Sequence, residues 1–241
     1  MAPYRELAPP THLAESVECF WIIEADESFR HRVLPDGCAD IIFARDSGKA
    51  SLTAVGTMTQ FADVQMLPGQ FSLGVRFRPG MWTEHLGVPG PEITDVLLPL
   101  ESLWGARARA LQEQMADCVS PQQCAEVLGR ALRPAASRTP LQRALAWMEA
   151  NPACVSLDNV CCRAGLSPRQ FRRICLQQTG ISPKLLARVL RFRKALAQVQ
   201  AEAGEHAGLA TDCGYFDQSH FIAEFERFAG QTPSAYVRTA R

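Results

Sequence analysis

The 241-residue chain has no apolar run near the ~20 residues that a bilayer crossing needs. No basic-then-apolar leader follows Met1. Both absences lead us to expect a cytoplasmic protein with no membrane partner. The nine cysteines contain no Cys-x-x-Cys pair, so neither a structural zinc site nor any other metal or cofactor is expected. They are odd in number and have no repeated spacing, which favours reduced thiols over a disulfide framework. Several, such as Cys161, occupy small apolar positions and read as core. Low-complexity sequence is also missing, and 47% hydrophobic residues indicate a globular chain. One absence is local. Between Asn159 and Ala201 there is no acidic residue, against nine basic ones: Arg163, Arg169, Arg172, Arg173, Lys184, Arg188, Arg191, Arg193 and Lys194.

The net charge of zero hides that asymmetry. Residues 1–137 carry 11 Lys+Arg and 17 Asp+Glu, and residues 138–241 carry 14 and 8. An acidic body joined to a basic module suggests nucleic-acid binding by the second half. The basic stretch is expected to supply most of the phosphate attraction. From Glu202 to Arg241 the balance reverses, with three basic and six acidic residues.

The first hundred residues read as β. Val17 to Glu24 is rich in aromatic and β-branched residues. Further short strands are expected at Phe29 to Leu34, Asp40 to Ala44, Ser51 to Val55, Asp63 to Met66 and Phe71 to Phe77, with a turn at Pro35-Asp36-Gly37. Many short strands favour a small barrel or sandwich. Val88-Pro89-Gly90-Pro91 reads as a loop, after a short helix within Met81 to Leu86. A helical turn near Glu101 to Trp104 and two amphipathic helices, Arg107 to Cys118 and Pro121 to Leu132, follow. Pro134 to Pro140 is the expected linker, with the boundary near Ala135. The fold class is therefore α+β multidomain: a barrel- or sandwich-like β domain with helices over residues 1–133, then an all-α module over residues 141–241.

That module holds one design twice, over residues 157–180 and 209–230. Each copy has a short helix, a glycine (Gly165, Gly214), an apolar cover (Leu166, Tyr215), an N-cap (Ser167, Asp217) and a second helix. Pro168 fits the first helical position after its cap. Phe171, Ile174 and Cys175, and then Phe221 and Phe225, recur at helical spacing and face inward. This is a helix-turn-helix pattern, repeated.

Cys213-Gly214-Tyr215-Phe216-Asp217-Gln218-Ser219-His220-Phe221, then Phe225, Gly230 and Thr232-Pro233-Ser234-Ala235-Tyr236, resemble the AraC/XylS family of bacterial transcription regulators. The first copy, ending in Gly180-Ile181-Ser182-Pro183, extends the resemblance from about Leu141 to Arg238. It implies two helix-turn-helix units joined by a linker helix over residues 183–200, with double-stranded DNA and RNA polymerase as partners. Three departures stand out: Cys175 where the family usually has a bulky Phe, Ala223 where many members have Arg, and Gly204 and Gly208 at the start of the second unit. Leu34-Pro35-Asp36-Gly37-Cys38-Ala39-Asp40-Ile41-Ile42-Phe43, Leu73 to Gly80 and Leu97-Leu98-Pro99-Leu100 resemble an uncharacterised domain found ahead of many such modules.

In a helix-turn-helix the second helix enters the major groove. Arg169, Arg172 and Arg173 share a face opposite Phe171, and Arg holds guanine with paired hydrogen bonds. Solvated surface charge or phosphate contact is the plainer alternative. In the second unit Gln218, Ser219 and His220 occupy the matching face, where His220 fits packing equally well. Arg191 matches a family position that packs between the units. In the β domain, Trp21, Asp36, Asp40 and Arg76 are candidate ligand-binding residues, with His31 nearby. Turn formation by Asp36 and simple pairing of Arg76 with Asp40 are stronger readings than catalysis or a metal, so no catalytic residue is assigned. A pocket lined by Phe20, Trp21, Phe43, Phe71 and Phe77 is expected.

Two functions follow. One is a regulator whose β domain binds a small-molecule effector or forms a homodimer, with residues 1–133 folding alone. The other is a thiol-responsive regulator using Cys19, Cys38 or the adjacent Cys161-Cys162. A methyl-transferring DNA-repair protein can carry such a module, but its four-cysteine zinc cluster has no counterpart in the N-terminal half.

Overall fold

The computed structural model describes residues 4–134, 138–201 and 208–239. The expected boundary at Ala135 and the glycine at Gly204 lie outside them.

The N-terminal part holds eight strands among the described residues, seven before its first α-helix and one after two short helices: β1 (Arg5–Leu7), β2 (Val17–Glu24), β3 (Phe29–Val33), β4 (Ala39–Asp46), β5 (Lys49–Val55), β6 (Ala62–Met66), β7 (Phe71–Phe77) and β8 (Leu97–Pro99). Six form an antiparallel sheet in the order β1-β2-β7-β4-β5-β8, while β3 and β6 pair as a separate ribbon. β2 and β7 are buried on both faces, which is why they read as nearly continuous apolar runs.

Side chains alternate across the sheet. Phe20, Ile22, Ile41, Phe43, Leu73, Val75 and Phe77 point to one face, which is the main core. Helices cover that face: α1 (Thr83–Leu86), α2 (Gly90–Ile93), α3 (Glu101–Trp104), α4 (Ala106–Ala116) and α5 (Pro121–Ala131). Trp82, Leu86, Leu111, Met115 and Leu128 complete the core from them. On the other face Cys19, Trp21 and Ile23 meet Met66, Phe29 and Ile42 beneath the ribbon. The arrangement is sandwich-like, with the ribbon as the partial second layer.

β1, β8 and α2 were not expected. β1 and β8 have three residues each, too few to show alternation. Gly90-Pro91 reads as a loop locally, but Pro91 falls in the first turn of α2, where proline is tolerated.

The C-terminal helices are α6 (Pro140–Ala150), α7 (Leu157–Ala164), α8 (Pro168–Thr179), α9 (Pro183–Ala201), α10 (Leu209–Asp212), α11 (Gln218–Ala229) and α12 (Pro233–Thr239). Thr139 and Gln142 form a capping box that starts α6. The long α9 serves two cores. Leu186, Ala187 and Leu190 pack with α6, α7 and α8, whereas Val189, Phe192, Ala195 and Val199 pack with α10 and α11.

The β domain is docked on this module rather than tethered beside it. Gly90 meets Gly180 so closely that a Cβ on Gly90 would overlap the Gly180 backbone nitrogen. Thr94 Oγ1 donates to the Gly180 carbonyl at 2.9 Å. The Asp36–Cys38 turn lies on α9, with Gly37 against Leu186 and Val189. Arg32 Nη1 donates to the Ala229 carbonyl at 3.0 Å, and Gly230 abuts the Phe61 ring. Arg193 of α9 pairs with Glu18 of β2 and, at 3.5 Å, with Glu149.

Candidate functional site

Each helix-turn-helix is built from its caps. In the first, Gly165 ends α7 at φ +61, in the left-handed region. Ser167 then caps α8: its Oγ accepts from Gln170 N, and Gln170 Oε1 accepts from Ser167 N at 3.0 Å. Phe171 and Cys175 are buried, and Thr179 Oγ1 donates to the Cys175 carbonyl at 2.9 Å. The smaller Cys175 side chain is thus accommodated beside Thr179. Arg169, Arg172 and Arg173 all project to solvent from the first two turns of α8.

In the second unit Gly214 is left-handed at φ +79 and Tyr215 is buried over the turn. Asp217 Oδ1 accepts from His220 N at 2.7 Å to cap α11. Gln218, Ser219 and His220 are exposed. His220 has local work as well: its Nδ1 accepts from Phe216 N at 3.4 Å and its ring meets Tyr215 edge-on. The one-turn α10 follows the left-handed Gly208, a weak helix start.

Between the units lies a groove of about 550 Å³ lined by Lys184, Arg188, Arg191, His220, Ala223, Glu224 and Arg227, with Val155 and Ala187. Arg191 stacks over Tyr215 at 5.4 Å, so it bridges α9 and the second turn. Arg188 is bound to the buried Glu224. The nine basic residues therefore do not act as one field. Arg193 is held by Glu18 and Glu149, Arg188 by Glu224, and Arg163 lies over Trp147 at 4.5 Å. Ion pairs with carboxylates distant in sequence engage two of the nine, Arg188 and Arg193, within the chain itself.

Ala223 is exposed and lines this groove. Ala223→Arg is expected to strengthen non-specific DNA binding and to raise the salt slope by about one ion. Titrations of random-sequence duplex at several salt concentrations check this; an unchanged slope refutes the placement of that face.

A second cavity, about 550 Å³, lies between the large sheet and the ribbon. Trp21, Ile23, Asp40, Ile42, Ala44, Thr53, Val55, Ser72 and Arg76 line it from the sheet, and His31, Val33, Ala62, Val64 and Met66 from the ribbon. Tyr4, Met58, Gln60, Phe61, Asp95, Val96 and Leu97 also line it. The expected lining was mostly wrong. Phe20, Phe43 and Phe77 are fully inside the helix-covered core, and Phe71 packs there too; only Trp21 faces the cavity. Alternation explains the difference, because aromatic content alone does not say which residues share a face.

The candidate polar residues do come together. Trp21 Nε1 donates to Asp40 Oδ1 at 3.0 Å. Arg76 Nε lies 3.1 Å from Asp36 Oδ2 and 3.7 Å from Asp40 Oδ1, while its Nη1 lies 3.9 Å from Glu6. Asp40 and Arg76 are register partners on β4 and β7, which is why they meet. Asp36 sits behind Arg76 rather than in the cavity wall, and its Oδ1 accepts from Cys38 N at 2.8 Å, the turn role its sequence suggested. Burial pushes the Asp40 carboxyl up to about 6, against the pull of Arg76. Burial opposes the Arg76 charge, but Asp40 and Asp36 more than offset it and hold it protonated. Burial, then Arg76, lowers the His31 pKa. Among the described residues no His/Cys/Asp/Glu cluster is arranged to hold a metal ion.

The thiol-responsive alternative finds no support. Cys19, Cys38 and Cys161 are buried, and burial pushes their thiols up, Cys19 to about 12. A sensor thiol needs the opposite, a depressed pKa and access. Cys162 is exposed but has no bonded partner in Cys161.

Comparison with known proteins places these parts. Residues 5–99 match the family described as "Domain of unknown function (DUF6597)", and residues 160–239 match the family described as "Helix-turn-helix domain". The "HTH-type transcriptional activator RhaR" of Escherichia coli (strain K12) is 30% identical over 106 residues, which are 44% of this chain and 38% of that protein. The chain thus spans under two fifths of the length of the curated relatives it matches. ToxT from Vibrio cholerae O395, in a structure bound to (E)-4-(8-methylnaphthalen-1-yl)but-3-enoic acid, superposes with a TM-score of 0.51 at 10% identity, covering 92% of this chain and 99% of that one. That likeness concerns fold alone and extends over both parts. The DNA-binding domain of AdpA in complex with a target DNA matches 43% of this chain and 95% of its own, at 24% identity and a TM-score of 0.41. No helix among the described residues is long and apolar enough to cross a membrane. The chain carries an AraC-type helix-turn-helix domain at its C-terminus, preceded by a domain of unknown function of the DUF6597 type.

Proposed function

We propose that the chain is a sequence-specific DNA-binding transcription regulator, not an enzyme, whose N-terminal domain binds a small-molecule effector in the cavity beneath the ribbon. The observation that carries the first part is the pair of capped recognition helices, α8 and α11, mounted on one linker helix with their polar faces exposed. Arg169, Arg172 and Arg173 read bases from the first unit; Gln218, Ser219 and His220 meet the second groove segment with fewer ionic contacts. One protomer covers an asymmetric site spanning two major-groove segments about 34 Å apart. RNA polymerase is the machinery such a regulator acts on.

Support for the second part is the physical continuity between the cavity and the DNA-binding module. Phe61 lines the cavity and also abuts Gly230 at the end of α11. Asp36 pairs with Arg76 of the cavity, and the turn it begins lies on α9. A ligand that shifts these walls changes the packing against the recognition helix α11 or the linker helix α9, provided it binds the two arrangements with different affinity.

The test is a footprint on genomic fragments recovered with the full chain, repeated with and without metabolite fractions. Two protected groove segments per protomer, with protection altered by at least one fraction, are expected. A single protected segment refutes the two-unit reading, and indifference to every fraction refutes the effector.

A further inference from the structure

The cavity's charge pattern narrows what it can hold. Its lining contains two carboxylates, Asp40 and Asp95, and one guanidinium, Arg76. Arg76 is already surrounded by Asp36, Asp40 and Glu6. An incoming anion would have to displace one of these carboxylates and would meet the rest. His31 is held towards its neutral form and adds no positive charge. Asp95 is satisfied elsewhere, accepting from Thr59 N and Thr59 Oγ1 at 2.6 Å each.

Asp40 is different. Its Oδ1 takes the Trp21 N–H, but among the described residues no donor reaches its Oδ2. A half-satisfied carboxylate at a cavity wall favours a ligand that brings a charged donor. The aromatic rings point the same way. Trp21 lies against Gly74, where any Cβ would overlap the indole, so one side of the ring rests on backbone and the rest borders the cavity with Tyr4. Ring faces attract cations, and more strongly when desolvated. The remaining surface is aliphatic: Ile23, Val33, Ile42, Val55, Val64 and Met66.

We infer that this cavity binds an apolar organic amine, its ammonium held by Asp40 beside Trp21 and its hydrocarbon body lying between sheet and ribbon. The inference rests on the effector reading above and names the ligand class for the same site. The volume, about 550 Å³, falls within the range of sites that enclose small organic molecules.

The experiment uses the full chain and three compounds with one body: phenylbutylamine, phenylbutanol and phenylbutanoate. Thermal shift and calorimetric titration are read for each at neutral pH. Phenylbutylamine should bind roughly tenfold tighter than phenylbutanol, as a charge-assisted hydrogen bond in a desolvated site warrants. Phenylbutanoate should be weakest. Asp40→Asn should abolish the advantage of the amine over the alcohol while leaving alcohol binding in place. Should that variant fail to fold, Ala44→Trp, which fills the cavity from β4, must remove the amine's stabilisation. Tighter binding of phenylbutanoate overturns the ligand class and leaves the effector reading standing. An amine preference that survives Asp40→Asn overturns the site. If none of the three stabilises the chain and metabolite fractions leave its footprint unchanged, the inference and the effector reading fall together.

Discussion

Arg172→Ala and Arg173→Ala are each expected to weaken binding to a mapped operator, and at least one is expected to relax sequence preference at a single base. Both side chains are exposed on α8, a helix whose start is fixed by the Ser167–Gln170 capping box. The backbone that carries them is therefore set before DNA arrives. Neither is withdrawn into an ion pair among the described residues, unlike Arg188 and Arg193 of the same basic stretch. A bidentate arginine–guanine pair discriminates by ~1–3 kcal/mol, so a lost base contact should weaken specific binding by about five- to a hundredfold. A phosphate contact behaves differently: its loss lowers affinity evenly across sequences and reduces the salt slope. Anisotropy titrations against the operator and its single-base variants, at fixed salt, separate the two. Unchanged operator affinity in both variants would remove α8 from the interface.

The second large effect is expected at Gly90. Gly90→Ala suits the first turn of α2, because its backbone needs no left-handed φ. The added Cβ would nevertheless overlap the Gly180 backbone, which cannot rotate away as a side chain can. α2 must then retreat from the end of α8 and give up the Thr94–Gly180 hydrogen bond. Overpacking of this kind typically costs about 1–3 kcal/mol. Because the strain sits between the two parts, calorimetry should resolve their melting into separate transitions. Gly129→Ala is the control of opposite sign. Its Cβ would make ordinary contact with Phe20 and Leu13, and alanine within a helix gains roughly 0.5–1 kcal/mol over glycine. A Gly90→Ala protein that melts like the parent, in one transition, would show that the contact does not couple the parts.

The C-terminal module was legible because its information is local. Gly165, Ser167 and Pro168, and then Gly214 and Asp217, are each within a few residues of the helix they end or start. Capping and left-handed φ are decided at that range. Of the ligand candidates, Asp36, Asp40 and Arg76 stand near strand ends in the sequence; cross-strand register pairs Asp40 with Arg76, Trp21 bonds to Asp40, and Asp36 reaches Arg76 from the turn before β4. What stayed hidden depends on partners far apart in the chain. Nothing near Arg193 announces Glu18, and nothing near Gly180 announces Gly90. The cavity lining departs from expectation for a related reason: Phe43 and Asp40 lie three residues apart on one strand and so face opposite ways.

That alternation separates two kinds of freedom in the β domain. Ile41, Phe43, Leu73 and Val75 hold the helices and carry the stability of the sheet, while Ile42, Ala44, Thr53, Val55 and Ser72 shape the cavity from the same strands. Changes in volume or polarity at the second set leave the first set's packing in place. Ligand selectivity can thus be rebuilt, by drift or by design, on a scaffold whose folding does not have to be renegotiated each time.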